Sequence, residues 1–130
     1  MIEYRDHITR QMLRDELDTL FVFGDNMERR GLGGQAAEMR GEPNAVGIPT
    51  KKAPHMGASA FLSDNDREEW ATESRDDIMR VVEFDGLVVW PTAGIGTGRA
   101  RLKEKAPDIA RLIDIIRRMI ERSVGQIGEI

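Results

Sequence analysis

The residues with chemistry to offer are two glycine clusters and a lysine pair. Gly31, Gly33 and Gly34 fall close together, and Gly94, Gly96 and Gly98 alternate along a second stretch. Glycine admits backbone angles and close approaches that a Cβ resists, so loops dense in it can turn several N–H groups toward one point. Such concavities hold anions, phosphate among them. Between the clusters lies Thr50-Lys51-Lys52. An amine in that position either neutralises a diphosphate or, when desolvation lowers its pKa and frees its lone pair, attacks an electrophilic carbon.

The candidate ligand-binding set is therefore Gly24, Asp25, Asn26, Gly31, Gly33, Gly34 and Gln35 in the first stretch, and Thr50 and Lys52 in the middle one. Thr92, Gly94, Ile95, Gly96, Thr97, Gly98 and Arg99 supply the third, with the Thr97 hydroxyl suited to donate to a phosphate oxygen. Lys51 is the candidate catalytic residue and Lys52 its substitute. Some of these residue types fit a second role equally well. Asp25 and Asn26 also build Asx turns, and Arg99 and Arg101 also suit a helix start. His55 reads as a polar loop residue and His7 as a bystander in a charged lead-in. Two histidines and no cysteine make no metal cluster, so neither a metal nor a cofactor is expected.

Elements that would position these residues follow from pattern. Residues 20–24 (LFVFG) and 87–90 (LVVW) are apolar runs of strand length, and residues 45–48 form a third, ended by Pro49. A run apolar throughout suits a strand covered on both faces. Residues 1–4 are an edge strand or a lead-in, and residues 58–62 a brief strand or an extended connector. Apolar spacing predicts an amphipathic helix over residues 8–17 and the first turns of another after Gln35. A helix over 66–82 is capped by Ser63 or Asp64. A long helix covers 103–122, with Pro107 in its first turn and Gly125 as its stop. Trp70 and Trp90 read as core, and Arg117, Arg118 and Arg122 as the solvated face of the last helix. Strands alternating with helices imply an α/β fold, one domain over residues 1–130, in which loops 24–35, 49–56 and 92–99 converge at the strands' carboxyl ends.

Composition sets the bounds. A net charge of −4 argues against a sequence-independent nucleic-acid binder, which needs a broad basic field. No apolar run approaches the roughly 20 residues of a membrane span, and residues 1–10 lack the apolar core of a signal peptide. The expectation is a cytoplasmic protein without a membrane partner.

With these motifs in place, a resemblance emerges. A strand ending in Asn26, then Gly31, Gly33 and Gly34 leading into a helix, resembles the first ligand loop of macrodomains, which bind ADP-ribose. Val88-Val89-Trp90-Pro91, followed by Gly94-Ile95-Gly96-Thr97-Gly98, is similar to their second loop, which wraps the distal phosphate and ribose. Ile48-Pro49-Thr50-Lys51-Lys52, with Ala53-Pro54-His55 after it, is similar to a segment of one branch of that family. That branch contains terminal ADP-ribose glycohydrolases and antitoxins that remove ADP-ribosyl groups from DNA. The resemblance implies a compact mixed sheet in a three-layer α/β/α sandwich, with ADP-ribose or an ADP-ribosylated substrate as partner. It also implies Lys51 as the catalytic lysine, a nucleic acid as a transient partner, and Asp25 as either an adenine contact or a turn residue. Gly98 stands where the protein-directed glycohydrolases carry aspartate, so the loop is closer to the DNA-directed relatives. A module that captures ADP-ribose or a cyclic nucleotide derivative without turnover is the alternative. The glycine loops alone fit other phosphorylated metabolites too.

Overall fold

A computed structural model describes residues 1–128. Strands β1 (Ile2–Arg5), β2 (Leu20–Asn26), β3 (Ala45–Lys51) and β4 (Val88–Pro91) form one sheet in the order β1-β4-β2-β3. Every pairing is parallel, so the expected mixed sheet is replaced by a parallel one. The reason lies in the connections, each of which carries a helix: α1 (Arg10–Asp15), α2 (Ala36–Met39) and α3 (Arg67–Val82). A crossover of that kind returns the chain in the same direction. Residues 2–5 are the edge strand rather than a lead-in.

Period-two alternation divides the sheet's side chains between two apolar clusters. Leu20, Val22, Val46, Ile48, Val88 and Trp90 pack with Trp70 and Val81 of α3 and with Ile109, Ile113, Ile116 and Ile120 of the last helix, α5 (Pro107–Gly128). Phe21, Phe23 and Val89 pack with Ile8, Leu13, Ala36 and Met39. Both tryptophans are core, as their sequence context suggests. The architecture is α/β, with apolar contacts on both faces of the central strands.

Several boundaries differ from the sequence pattern for identifiable reasons. α1 begins only after Thr9, whose side chain accepts from the Met12 N–H, and it ends at Asp15, leaving Leu17 exposed. β2 runs on through Asp25 and Asn26, so these two residues are strand before they are turn. Pro49 does not end β3, which continues to Lys51. β3 lies at the edge of the sheet, where a missing N–H is tolerated. The helix expected after Gln35 is one turn only. Residues 58–62 are a connector with a 3-10 turn at Ala58–Ala60 and a single antiparallel bridge from Phe61 to Lys51.

Ser63 caps the following helical segment through a reciprocal box with Asp66. The last predicted helix is broken into α4 (Leu102–Lys105) and α5 at Ala106, whose φ of −144° is not helical. Pro107 imposes that break, because its ring disfavours the helical region for the residue before it. Gly125 lies inside α5 and does not stop it. Arg117 is more than a solvated residue: it donates to Tyr4 of β1 at 2.8 Å and to Asp114 at 2.6 Å. Among the described residues, no helix is long and apolar enough to cross a membrane.

Trp70 joins the core to the rim of the sheet. Its buried ring sends the indole N–H to the Pro49 carbonyl at 2.7 Å, just before Thr50-Lys51. Trp70→Phe keeps most of the apolar bulk but orphans that carbonyl. The expected loss is about 1–3 kcal/mol of unfolding free energy, measured by urea denaturation.

Candidate functional site

The carboxyl ends of β2, β3 and β4 open into a cleft of about 470 Å³. Gly33, Lys51 and Gly96 line it together, so the three loops converge as expected. The contact that brings them together is steric. A Cβ at Gly24 would stand 3.2 Å from Thr50 Oγ1 and 3.4 Å from Gly96 N. A Cβ at Gly96, which has φ +74°, would press on Thr50 Cγ2 at 3.0 Å and on Leu102 at 3.1 Å. Thr50 is thus wedged between two glycine backbones, and its hydroxyl donates to the Asp25 carbonyl at 3.2 Å.

Several cleft residues have backbone N–H groups outside the backbone hydrogen-bond pattern: among the described residues, no backbone acceptor takes those of Gly33, Gly34 and Gln35, nor those of Ile95, Gly96, Thr97 and Gly98. Arg30, Arg40, Lys51 and Arg99 also line it, against the single carboxylate of Asp25. In a chain of net charge −4, this local excess of cations and free amides favours an anion.

Asp25 is already engaged. Its side chain is only 4% exposed, and the Arg40 guanidinium donates to both carboxylate oxygens. Arg40 also donates from Nε to the Gly31 carbonyl at 2.8 Å and lies over the Phe23 ring. Arg29 approaches Asp25 at 3.8 Å while donating to the Gly47 carbonyl at 2.9 Å and to Asp77 at 2.6 Å. Gly47 has to be glycine here, because a Cβ would fall 2.6 Å from Asp25 Oδ2. Asn26 accepts from the Glu28 N–H at 3.0 Å and donates to the Arg30 carbonyl at 2.7 Å. Both residues line the cleft, and their polar side-chain groups hold the first loop in shape from below.

Lys51 extends from the end of β3 into a partly dry corner of the cleft. Its Nζ donates to the His55 carbonyl at 2.6 Å and lies 5.2 Å from the Phe61 ring centroid. Burial, and secondarily the charge of Arg99, lowers its pKa below the usual lysine value of 10.5. His55 serves the loop by accepting from the Gly57 N–H at 3.0 Å.

Three sequence-level assignments are corrected. Lys52 does not line the cleft: neighbours along an extended chain point to opposite sides, and its ammonium pairs with Asp66 at 3.1 Å. Thr92 is held by its N–H bond to the Arg5 carbonyl at 3.0 Å, and it lines a second cavity of about 660 Å³ on the other side of the 92–97 loop. That cavity is larger and shares Gly94–Thr97 with the cleft, but only the cleft is also lined by Gly33, Gly34 and Lys51. Thr97 lines the cleft, yet its hydroxyl proton goes to the Ala93 carbonyl at 2.8 Å rather than outward. Arg101 has the helix-start role, pairing with Glu104 at 2.7 Å.

The remaining candidates, Gly24, Gly31, Gly34, Gln35, Gly94, Ile95, Gly98 and Arg99, all line the cleft. Sequence reasoning missed Arg30, Arg40 and Pro54. Arg40 had one available signal: a buried aspartate at a strand end requires a cation nearby.

Residues 3–115 match a family of unknown function, DUF7831. The chain belongs to that family. The match runs from β1 into α5 and includes all three cleft loops. No curated protein matches the chain, and neither does any solved structure.

Arg40→Ala leaves the Asp25 carboxylate buried beneath Gly47 with its main partner gone. The expected cost is about 3–5 kcal/mol of stability, the range for breaking a buried ion pair, measured by chemical denaturation.

Proposed function

We propose that the chain binds ADP-ribose in this cleft and removes ADP-ribosyl groups from a substrate, nucleic acid among the candidates. In this reading the fold is a small macrodomain-like α/β/α sandwich of three layers. One observation carries the proposal: two glycine loops with amides that lack backbone acceptors and the partly buried Lys51 share a single cleft. The amides of residues 33–35 and 95–98, with Arg99, suit the two phosphates.

In the chemical step, neutral Lys51 attacks the anomeric carbon of the distal ribose. The glycosidic bond to a base nitrogen or carboxylate oxygen breaks, and its electron pair leaves with that group, which takes up a proton. Water then displaces the amine, releasing ADP-ribose and restoring the lysine. Burial favours the neutral amine that this attack requires.

A second reading is capture without turnover. It is favoured by the hydrogen bond that ties Lys51 Nζ to the His55 carbonyl. It is favoured also because the one carboxylate lining the cleft is clamped by Arg40.

ADP-ribose at a hundred times its Kd is expected to stabilise the protein by about 2.7 kcal/mol, seen as a rise in melting temperature. Absence of any shift would overturn both readings. Lys51→Ala is expected to abolish release of ADP-ribose from ADP-ribosylated DNA, nucleotides or glutamate side chains. Its effect on the Kd should stay within about tenfold, the scale of one partly screened ion contact. If wild-type protein releases nothing and still binds, the second reading stands.

The two readings also separate by pH. A lysine nucleophile must be neutral, so release should accelerate with rising pH, with an inflection below 10.5. An ammonium that only holds phosphate has the opposite dependence, and affinity falls as pH rises through the same inflection.

A further inference from the structure

We propose that the second cavity, across the 92–97 loop from the cleft, binds a small apolar acid: an aromatic or branched aliphatic body with one anionic headgroup. This site is independent of the function assigned to the cleft. Its volume of about 660 Å³ lies within the roughly 300–1,000 Å³ of small-molecule sites. Much of the wall is apolar surface that a ligand can reach. The Tyr4 ring, Ala93 and Pro107 are exposed, Ala110 is half-buried, and Ile113 closes the floor. Such a wall favours an occupant that takes apolar area out of water.

The charged side chains set the sign of the headgroup. Lys103, Arg111, Arg117 and Asp114 line the cavity, so three cations stand against one carboxylate. That carboxylate is already answered, since Arg117 donates to it at 2.6 Å and Arg118 pairs with it at 2.8 Å. Lys103 and Arg111 are exposed, and among the described residues neither side chain makes an ion pair or a hydrogen bond. A neutral apolar molecule would leave both cations unanswered, and a bare inorganic anion would leave the apolar wall in water. An apolar acid meets both demands, the body supplying most of the affinity and the exposed cations the choice of charge.

The probes are 1-anilinonaphthalene-8-sulfonate and N-phenyl-1-naphthylamine, which is the same molecule without its sulfonate. Alanine and isoleucine methyl NMR with the sulfonate is expected to shift Ala93, Ala110 and Ile113. Fluorescence titration of wild-type protein is expected to give the sulfonate about fivefold tighter binding than the neutral probe, the scale of two exposed ion contacts. The double variant Lys103→Gln with Arg111→Gln is expected to erase that preference and leave the neutral probe's affinity unchanged. Methyl shifts confined to residues outside the cavity, equal wild-type affinities, or an equal loss of both probes in the variant would overturn the site. If the variant fails to fold, the wild-type shifts and ratio decide. Loss of the Ala110 and Ile113 shifts at saturating ADP-ribose would also overturn it, because cleft and cavity would then be one extended site. Failure of ADP-ribose to bind removes the proposed function alone and leaves the expected methyl shifts and probe ratio in force.

Discussion

A carboxylate buried beneath a glycine organises this rim. Asp25 extends under Gly47, where any side chain would collide with it, and its charge is met by Arg40 and approached by Arg29. Burying one unpaired charge is costly enough that the fold has to bring cations to it. The two arginines then hold more than the aspartate. Arg40 secures the carbonyl of Gly31, and Arg29 ties the loop to β3 and α3. The first glycine loop, though short of regular structure, is fixed through polar contacts to the sheet below it.

Above that layer the packing is decided by small residues. Gly24 and Gly96 let Thr50 sit between the ends of three strands, close enough that the loops share one cleft. The glycine loops leave several backbone N–H groups without a backbone acceptor along the cleft, and backbone amides gathered in a concavity favour an anion. Lys51 sits at the edge of that surface, in contact with the ring of Phe61 and the carbonyl of His55.

The legible parts of the site were those written in consecutive residues. Glycine spacing located both loops, the apolar runs located β2 and β4, and Ser63 marked a helix start by its own chemistry. Less legible were features that depend on neighbours in space. Pro49 reads as a stop, and it does not stop β3 because that strand lies at an edge with no ladder bond to lose. Thr92 and Thr97 have the residue types of phosphate ligands, but Thr92 lines the second cavity instead of the cleft and the Thr97 hydroxyl donates to the Ala93 carbonyl. The break at Ala106 was implicit in Pro107, one residue away.

By itself the sequence determined the alternation of buried strands and helices, and the placement of glycines after two of the strands, since periodicity and backbone freedom are local properties. The tertiary structure alone decided which of two adjacent lysines enters the cleft. It also decided that Asp25 is consumed by Arg40. Those outcomes turn on which groups from distant segments come within a few ångströms of each other. Hydrogen bonds and ion pairs are settled at that range, and no reading along the chain can supply it.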